Sequence, residues 1–261
     1  MELKGAVCIV TGSSAGIGAA SAELLASKGA RVVINYTKSE AAAKAVAKTC
    51  QAKGAEVLLV QADIAADADC QKLARAALDK WGRIDGLINN AGATKFAQHS
   101  DLDALQAADF QRIFGVNVVG TYQMTRAVAK AMKAQGRGAV VNISSIAGVM
   151  GLGSSIAYAA SKGAINTMTL SLARALGPEI RVNTVCPGMV ETRWLQEGLG
   201  EAGYAAMRNN YVNAAPLRKP SQAEDIAEVA VWLLEGADLV TGEILMVDGG
   251  FHLGATPLKA R

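Results

Sequence analysis

The stretch Thr11-Gly12-Ser13-Ser14-Ala15-Gly16-Ile17-Gly18 decides the fold, because it joins a short apolar run, residues 6–10, to a helix-like segment that starts at Gly18. Glycines let the backbone turn tightly and approach a phosphate group closely. The start of the next helix offers unpaired N–H groups and the positive end of the helix dipole. Placed between a first strand and a first helix, this turn predicts nucleotide binding. Its spacing is G-x-x-x-G-x-G rather than the G-x-G-x-x-G of many dinucleotide folds.

Outward from this turn, apolar runs alternate with longer helix-like segments along the chain. Most of the runs are continuously apolar, which is typical of strands buried on both faces. An alternation of strands and helices predicts an α/β fold with a doubly wound parallel sheet and helices on both faces. The predicted strands cover residues 6–10, 31–36, 56–61, 84–89, 138–143, 180–185 and 243–247. The predicted helices cover residues 18–28, 39–53, 67–80, 109–134, 157–176 and 222–234.

The length of 261 residues fits one large domain or two small ones. No linker, repeat or low-complexity block interrupts the alternation, so the sequence predicts one domain over residues 1–261. Residues 189–220 fit no strand, contain three glycines and are predicted to be an irregular substrate lid. The apolar side chains of this segment either close a pocket over the substrate or pack the lid onto the body or a partner subunit. They are Trp194, Leu195, Leu199, Tyr204, Met207 and Tyr211.

Composition and charge argue against several classes of protein. The net charge is +3 and the basic residues are scattered among acidic ones, so we expect no nucleic-acid partner. No apolar stretch approaches the roughly 20 residues of a membrane-spanning helix, and the first run is too short for a signal-peptide core. We therefore expect a cytoplasmic protein without a membrane partner. The four cysteines, at 8, 50, 70 and 186, have no paired spacing, so neither disulfides nor a metal site are predicted.

The end of the second strand bears on the choice of cofactor. Enzymes that prefer NAD usually carry an acidic residue there, to bind the 2′-hydroxyl of the adenosine ribose. Here the sequence reads Asn35-Tyr36-Thr37-Lys38, with no carboxylate before Glu40, and Lys38 is placed to meet a 2′-phosphate. This favours NADP over NAD, unless Lys38 is simply a solvated residue. After the third strand, Asp63 either binds the adenine amino group or caps a turn.

Tyr158 and Lys162 are candidates for proton chemistry. Their spacing places both on one face of a helix, with Cβ atoms within about 6 Å. A free tyrosine has a pKa near 10, and a neighbouring ammonium group favours the phenolate and lowers that pKa. The pair is therefore predicted to act as a general acid–base group on a carbonyl or alcohol oxygen.

The surroundings of this pair strengthen the hypothesis, since a tyrosine and a lysine at helical spacing are usually a coincidence. Asn142-Ile143-Ser144-Ser145 ends a strand, where a hydroxyl group can hold a substrate oxygen beside the phenol. Asn89-Asn90-Ala91-Gly92 ends another strand, and its glycine lets the backbone pass close to a cofactor. Asn117 is expected in a helix that packs beside Tyr158. In this architecture ligands bind at the carboxyl ends of strands.

With these motifs in order, the sequence resembles the short-chain dehydrogenase/reductase family over nearly its whole length. The resemblance rests on T-G-x-x-x-G-I-G (11–18), N-N-A-G (89–92), Asn117, Ser145, Y-x-x-x-K (158–162), P-G (187–188) and V-D-G-G (247–250). It implies a Rossmann-like sheet of seven strands. It also implies hydride transfer between NADPH and a ketone carbon while Tyr158 protonates the oxygen, with the reverse oxidation using the same residues.

The resemblance assigns roles to individual residues. Ser145, rather than Ser144, positions the substrate, and Tyr158 transfers the proton. Lys162 binds the nicotinamide ribose and lowers the pKa of Tyr158, and Asn117 holds a water molecule in a proton relay. Cofactor contacts are expected at Gly12, Ser14, Gly16, Ile17, Gly18, Tyr36, Thr37, Lys38, Asp63, Ile64, Asn90, Ala91, Gly92, Tyr158, Lys162, Pro187, Gly188, Val190 and Thr192.

The substrate stays open at this point. The subfamily that the sequence resembles is that of bacterial 3-oxoacyl-acyl-carrier-protein reductases, which dock an acidic carrier on basic residues before the fifth and sixth strands. Here Arg137 keeps part of that patch, but Glu179 puts an acid where a base is wanted. A free ketone, a sugar, a steroid-like alcohol or an acyl-CoA is the alternative. Relatives are usually tetramers, so a homo-oligomer, tetramer or dimer, is expected. A non-catalytic NADP-sensing protein would share the fold.

Overall fold

Seven strands form one parallel sheet in the computed structural model, which describes residues 1–254. Their order across the sheet is β3-β2-β1-β4-β5-β6-β7. The predicted α/β doubly wound sheet of seven strands is confirmed, with bounds shifted by two residues at most. The strands are β1 (Val7–Val10), β2 (Arg31–Tyr36), β3 (Val57–Gln61), β4 (Gly86–Asn89), β5 (Gly138–Ile143), β6 (Ile180–Pro187) and β7 (Ile244–Val247).

Burial on both faces explains why the strands are continuously apolar. In β1, Cys8 and Val10 pack into one hydrophobic cluster, while Val7 and Ile9 pack into the cluster on the opposite face. All four of these side chains are fully buried. The alternation follows from the two-residue period of a strand, and both directions end in a helix layer, so neither position tolerates a polar side chain.

Helices cover both faces of the sheet. One cluster joins the sheet to α1, α2 and α9, and the other joins it to α3, α5 and α7. The helices are α1 (Gly16–Ser27), α2 (Glu40–Ala52), α3 (Asp67–Trp81), α4 (Ala107–Phe114), α5 (Thr121–Ala134), α6 (Ala147–Met150), α7 (Ile156–Leu176), α8 (Arg193–Ala214) and α9 (Ala223–Glu235).

The strand order reverses between β1 and β4, and this reversal positions the ligand site. From β1 the chain runs outward to β2 and β3, then returns to build β4 to β7 on the other side. The connections on the two sides of β1 therefore leave in opposite directions, and a crevice opens at the carboxyl ends of the strands.

Two predicted segments differ from the observed structure. The single helix predicted over residues 109–134 is divided into α4 and α5 by a π-helical segment, Gly115–Gly120, whose two glycines weaken regular helix geometry. The segment 189–220, predicted to be irregular, is mostly the helix α8. Only Gly200 leaves helical geometry, with φ 68° and ψ 169°, and it divides α8 into two parts.

The described residues contain neither a membrane-spanning helix nor a cluster of metal-binding side chains. None of the helices within residues 1–254 is long and apolar enough to cross a lipid bilayer. The same residues contain no group of three or more His, Cys, Asp or Glu side chains that could hold a metal ion. The predicted domain extends to Arg261, and its residues 255–261 lie outside the described part.

A close backbone crossing fixes α6 against α7. A Cβ atom added at Gly148 would lie 2.5 Å from the backbone nitrogen of Gly163 and nearer still to the carbonyl carbon of Lys162. We therefore expect Gly148→Ala to push the two helices apart and to lower the free energy of unfolding by about 2–3 kcal/mol. Thermal unfolding should show a decrease in Tm of about 5–10 °C.

The matched control for this substitution is Gly115→Ala. Gly115 has helical dihedral angles, φ −55° and ψ −47°, and a Cβ atom there meets open space. This variant should keep or slightly raise the Tm, because alanine lowers the conformational entropy of the unfolded chain. Equal Tm values for the two variants would contradict the close crossing at Gly148.

Candidate active site

A cavity of about 1280 Å³ opens at the carboxyl ends of the strands. It extends from the end of β2, at Lys38, past the glycine-rich turn after β1 to the end of β5 and the start of α7. The size fits a dinucleotide together with a small substrate, since pockets for drug-sized ligands measure about 300–1,000 Å³ and this cavity is larger. Sequence analysis placed the ligand at this edge of the sheet, and the cavity lies there.

Hydrogen bonds brace the glycine-rich turn against the neighbouring strands. The hydroxyl oxygen of Thr11 accepts from the backbone N–H groups of Asn90 and Ala91, at 3.0 and 3.1 Å. On the other side, Asn35 Oδ1 accepts from Gly12 N at 3.0 Å. The ends of β1, β2 and β4 are thereby held in one arrangement around the crevice.

The glycines at 12 and 18 are required by close packing. A Cβ atom at Gly12 would lie 2.8 Å from the Cα of Ala91. A Cβ atom at Gly18 would lie 2.6 Å from the carbonyl oxygen of Gly12, so α1 could not pack against its own preceding turn. Gly18 does not line the cavity, and its contact with the cofactor stays a prediction. Gly16 lines the cavity with a positive φ of 54°.

The start of α1 fits a pyrophosphate. The helix begins at Gly16 with no side-chain cap, and its first turn contains no acidic residue. The first N–H groups of a helix have no partner within the helix, and the dipole adds positive charge at that end. Both features suit an anion, and Ser14, Ala15, Gly16 and Ile17 face the cavity here.

The adenosine end of the cavity is formed by the loops after β2 and β3. Tyr36, Thr37 and Lys38 line it, and Lys38 is exposed. Asp63 also lines it, while its Oδ1 atom accepts from Ala65 N at 3.0 Å. Asp63 therefore caps a turn, and its contact with adenine stays a prediction.

Tyr158 and Ser145 meet at the other end of the cavity. The first turn of α7 places Tyr158, where Ser155 caps the helix by accepting from Tyr158 N at 3.2 Å. The Ser145 hydroxyl lies beside the Tyr158 phenol, close enough to lower the pKa of the phenol. Ser144 is used differently, because its buried hydroxyl donates to the carbonyl oxygen of Lys162 at 3.0 Å. Of the two serines, Ser145 is the one beside the phenol.

Lys162 is buried below Tyr158. Its ammonium group donates to the carbonyl oxygen of Ile143 at 2.8 Å and lies 5.5 Å from the centre of the Tyr158 ring. Only 4% of the residue is exposed. An ammonium group has three hydrogens, so the bond to Ile143 leaves two of them for a ligand in the cavity.

Burial dominates the proton affinities of this pair. Removal from water raises the pKa of Tyr158 to about 12, although the neighbouring Ser145 hydroxyl acts in the opposite direction. Burial likewise lowers the pKa of Lys162 to about 8. Desolvation of the phenol prevails here, and the Lys162 ammonium group donates to Ile143; the lowering of the Tyr158 pKa by Lys162 stays a prediction.

Asn117 lies within the π-helical segment and is fully buried. Its Oδ1 accepts from Ala93 N at 2.7 Å, and its Nδ2 donates to Ala93 O and to the Ser161 hydroxyl, at 3.0 and 2.9 Å. The side chain thus joins the loop after β4 to α7, and it reaches Tyr158 through Ser161 rather than by direct contact. Asn117 does not line the cavity, and its part in a proton relay stays a prediction.

Nearly all of the predicted site residues line the cavity. Besides Gly18 and Asn117, every one of them lines it: Gly12, Ser14, Gly16, Ile17, Tyr36, Thr37, Lys38, Asp63, Ile64, Asn90, Ala91, Gly92, Ser145, Tyr158, Lys162, Pro187, Gly188, Val190 and Thr192. Sequence analysis missed Asn35, whose signal was a lone amide in an apolar strand. It also missed Phe96, which has no periodic pattern around it.

The helix α8 covers the substrate end. Trp194, Leu195, Leu199, Met207 and Tyr211 line the cavity, whereas Tyr204 does not. Leu195 and Tyr211 also belong to a small hydrophobic cluster with Met189 and Ala215. The two alternatives for these side chains, closing a pocket and packing onto the body, are therefore both realised. Tyr211 anchors the second part of α8 by donating from its hydroxyl to Asp248 O.

Comparison with known proteins places these features in a family. The family model described as "Enoyl-(Acyl carrier protein) reductase" matches residues 12–252. A Streptomyces violaceoruber protein, described as a ketoacyl reductase of granaticin polyketide synthase, is 41% identical over 95% of this chain and 96% of its own. A 3-oxoacyl-[acyl-carrier-protein] reductase of Synechocystis is 35% identical over 95% and 97% of the two chains. The crystal structure of NAD⁺-bound xylitol dehydrogenase is 29% identical in sequence and matches with a TM-score of 0.87. The match covers 96% of this chain and 100% of that chain.

The buried Lys162 should destabilise the folded protein in a pH-dependent way. Its pKa is about 8 in the fold and about 10.5 in the unfolded chain, so the unfolded state binds more protons. The penalty is complete below pH 8 and fades as the pH rises toward 10.5. We expect Lys162→Met to raise the free energy of unfolding by up to roughly 3 kcal/mol at pH 7 and by roughly 1 kcal/mol at pH 9.5.

Thermal unfolding of the two proteins at pH 7 and pH 9.5 measures this difference. Lys48→Met removes the same charge from an exposed position of α2 and serves as the control. It should change the Tm little at either pH. A Lys162→Met protein that is less stable than the wild type at pH 7, or a gain that does not change with pH, would contradict the assignment.

Proposed function

This chain belongs to the short-chain dehydrogenase/reductase family, and on that basis we propose that it reduces a ketone to a secondary alcohol with NADPH, and catalyses the reverse oxidation. The observation that carries the proposal is the meeting of the Ser145 and Tyr158 side chains, above the ammonium group of Lys162, in the cavity that contains the glycine-rich turn. Fold alone would not fix a function, but this arrangement of groups has a specific chemistry.

Ser145 would hold the substrate oxygen. Its Oγ atom accepts from Ala147 N at 3.1 Å, which fixes the hydroxyl at the end of β5. A carbonyl oxygen bound in the cavity would accept the hydroxyl hydrogen in place of the phenol. A hydrogen bond to that oxygen strengthens as negative charge develops on it, and this favours the transition state over the bound ketone.

Tyr158 would supply the proton. Because burial raises its pKa to about 12, the phenol keeps its proton at neutral pH and is ready to act as an acid in reduction. The nicotinamide that the cavity would hold would supply a hydride for the carbonyl carbon. The Tyr158 hydroxyl then gives its proton to the same carbonyl oxygen that Ser145 holds. In the oxidation direction, the same oxygen of Tyr158 would take the proton from the alcohol.

Lys162 and Asn117 would organise the cofactor side. The two ammonium hydrogens not used by Ile143 are placed to bind ribose hydroxyls. Gly92 lies between the two side chains, since a Cβ atom there would be 3.6 Å from Asn117 Oδ1 and 3.8 Å from Lys162 Nζ. The absence of a side chain at Gly92 leaves room for a ribose. Asn117 acts as a positioning residue, because its clamp on Ala93 holds this loop in place.

We further propose that NADP is preferred over NAD. The family uses a nicotinamide dinucleotide, and the preference between the two forms rests here on Lys38. It is exposed at the adenosine end of the cavity, and the nearest carboxylate in the sequence, Glu40, pairs with Lys44 at 2.7 Å. A 2′-phosphate would meet a cation there, whereas NAD would find no carboxylate on this strand end for its 2′-hydroxyl.

The ketoacyl reductases among the relatives support a ketone reduction like that of 3-oxoacyl-acyl-carrier-protein reductases, and the surface expected to dock the carrier supports a free ketone as the alternative substrate. The position of Arg137 and that of Glu179 are adjacent, since Gly138 N donates to Glu179 O at 2.9 Å. Both stand at the amino ends of β5 and β6, about 20 Å from the carboxyl ends where Tyr158 lies. An acidic carrier at this surface would meet Glu179 and would be at the wrong edge of the sheet for the cavity of its own chain.

The remaining proposals concern the whole molecule. We infer a homo-oligomer, tetramer or dimer, in the cytoplasm. The observation that supports an oligomer is a set of large apolar side chains exposed beside α5 and α7, namely Val119, Tyr122 and Val149. We also propose that residues 189–220 act as the substrate lid of a single domain, since α8 covers the substrate end of the cavity.

Tyr158→Phe tests the function directly. The variant should lose at least a hundredfold in kcat for ketone reduction, because no group remains to protonate the oxygen, while its Kd for NADPH stays within about threefold of the wild type. NADPH oxidation with neutral ketones, 3-oxo esters and acyl thioesters measures turnover, and NADPH fluorescence measures binding. Turnover retained in the variant removes Tyr158 from its role. Tight NADPH binding by the wild type without turnover on any substrate favours the sensing protein.

Lys38→Asp tests the choice of cofactor. The substitution replaces a cation by a carboxylate that can bind a 2′-hydroxyl and repel a 2′-phosphate. We expect kcat/KM for NADPH to fall at least tenfold and the preference to turn toward NADH. Lys48→Asp, on the exposed face of the neighbouring helix, is the control and should keep the NADPH preference. A wild type that uses NADH better than NADPH would refute the proposal.

A further inference from the structure

Three aromatic rings meet at the substrate end of the cavity, on three separate elements. Phe96 comes from the loop after β4, Tyr158 from the first turn of α7 and Trp194 from the first turn of α8. The ring of Trp194 lies between the other two, with its centre 5.5 Å from that of Phe96 and 6.1 Å from that of Tyr158. We call these three residues the aromatic wall. All three line the cavity.

The indole of Trp194 has an unusual environment. It packs at tilts of 55° and 46° against its two neighbours, yet 46% of the residue remains exposed. A large apolar surface is therefore held open next to the group that protonates the substrate. Burial of this surface by a flat apolar ligand is favourable, and aromatic rings gain further from offset or edge contacts.

The wall is held in place by backbone contact and not only by its own rings. A Cβ atom at Gly198, one turn after Trp194, would overlap the ring of Phe96. The first part of α8 therefore rests directly on Phe96. This contact fixes the part of α8 that carries Trp194, so the indole starts from a backbone held next to Phe96.

The side chains that meet the phenol from the substrate side, Ser145 and Trp194, are uncharged. The cations that line the cavity within residues 1–254 are Lys38, Lys162 and Arg193. Lys38 lies at the adenosine end, and Lys162 is bonded to Ile143 and assigned to the cofactor ribose. Arg193 extends into solvent, 89% exposed at its side chain, and pairs with Glu197. With these three cations engaged elsewhere, a neutral ring fits this end of the cavity better than a carboxylate or phosphate.

We propose that Trp194 is a specificity-determining residue that selects uncharged, planar ring ketones by stacking against the substrate while Tyr158 protonates its oxygen. This inference rests on the proposed ketone reduction and adds the class of substrate. Open-chain ketones of equal size bind to the indole less tightly, because a flexible chain loses rotational freedom when it is held against a flat surface.

The test compares 2-tetralone with 2-decanone, two neutral ketones with the same number of carbon atoms. The wild type should show a higher kcat/KM for 2-tetralone, beyond the ratio of their rates with borohydride. Trp194→Ala should lower this ratio about tenfold, a change of about 1.4 kcal/mol, and mostly through KM. Trp194→Phe should restore most of the ratio. A ratio unchanged in Trp194→Ala, or no preference in the wild type, would overturn the inference.

Trp232→Ala is the matched control. Trp232 is exposed to a similar extent, 49%, but lies on α9 and does not line the cavity. It should leave the ratio of the two substrates unchanged. A fall of the ratio in Trp232→Ala equal to that in Trp194→Ala would show a general effect of tryptophan removal and would overturn the inference.

A binding measurement separates this inference from the proposed function. 2-Naphthol, a planar molecule that is not reduced, should quench the tryptophan fluorescence of the wild type, and Trp194→Ala should bind it at least fivefold more weakly. If the wild type reduces no ketone but binds 2-naphthol through Trp194, the ketone reduction fails and the stacking site stands. If it reduces both ketones and 2-naphthol does not bind, the stacking site fails and the reduction stands.

Discussion

Two hydrogen bonds between the end of β5 and the helix α7 hold the active site together. The ammonium group of Lys162 donates to the carbonyl oxygen of Ile143, and the hydroxyl of Ser144 donates to the carbonyl oxygen of Lys162. One bond runs from helix to strand and the other from strand to helix, so the two elements can neither slide nor rotate independently. Ser145 follows directly on the strand side and Tyr158 stands one turn earlier on the helix. The distance between their hydroxyl groups is therefore set by buried bonds that the substrate does not touch.

The sequence could predict what depends on local pattern. Strands buried on both faces read as unbroken apolar runs, so β2 and β5 were located to the residue. The positions of Gly12 and Ser145 followed from motif order. Burial depth could not be read in this way. Whether a lysine lies under a tyrosine or beside it depends on where its ammonium group finds an acceptor, and the acceptor here is a backbone carbonyl that no side-chain pattern reveals.

Tertiary contacts explain the larger differences. Three glycines between residues 198 and 203 lower helix propensity, and the segment was accordingly predicted to be irregular. In the fold, the second part of α8 is fixed by the bond from Tyr211 to Asp248 O and by the ion pair of Arg208 with Glu191, at 2.6 Å. These anchors are distant in the sequence and outweigh the local preference. At Gly115–Gly120 the difference runs the other way, because a regular helix was predicted there. The observed π-helical turn brings the Asn117 side chain to Ala93.

The break at Gly200 separates two tasks that a continuous helix would combine. The part after the break carries the anchors of Tyr211 and Arg208, whereas the part before it carries Trp194, rests on Phe96 and adds Leu195 to the small hydrophobic cluster. Sequence drift before the break that spares Leu195 therefore changes what the cavity admits without loosening the scaffold that holds the cofactor turn. Substitutions within residues 193–199 are therefore a route by which gene duplicates of this chain could come to accept new ketones while keeping the same proton donor.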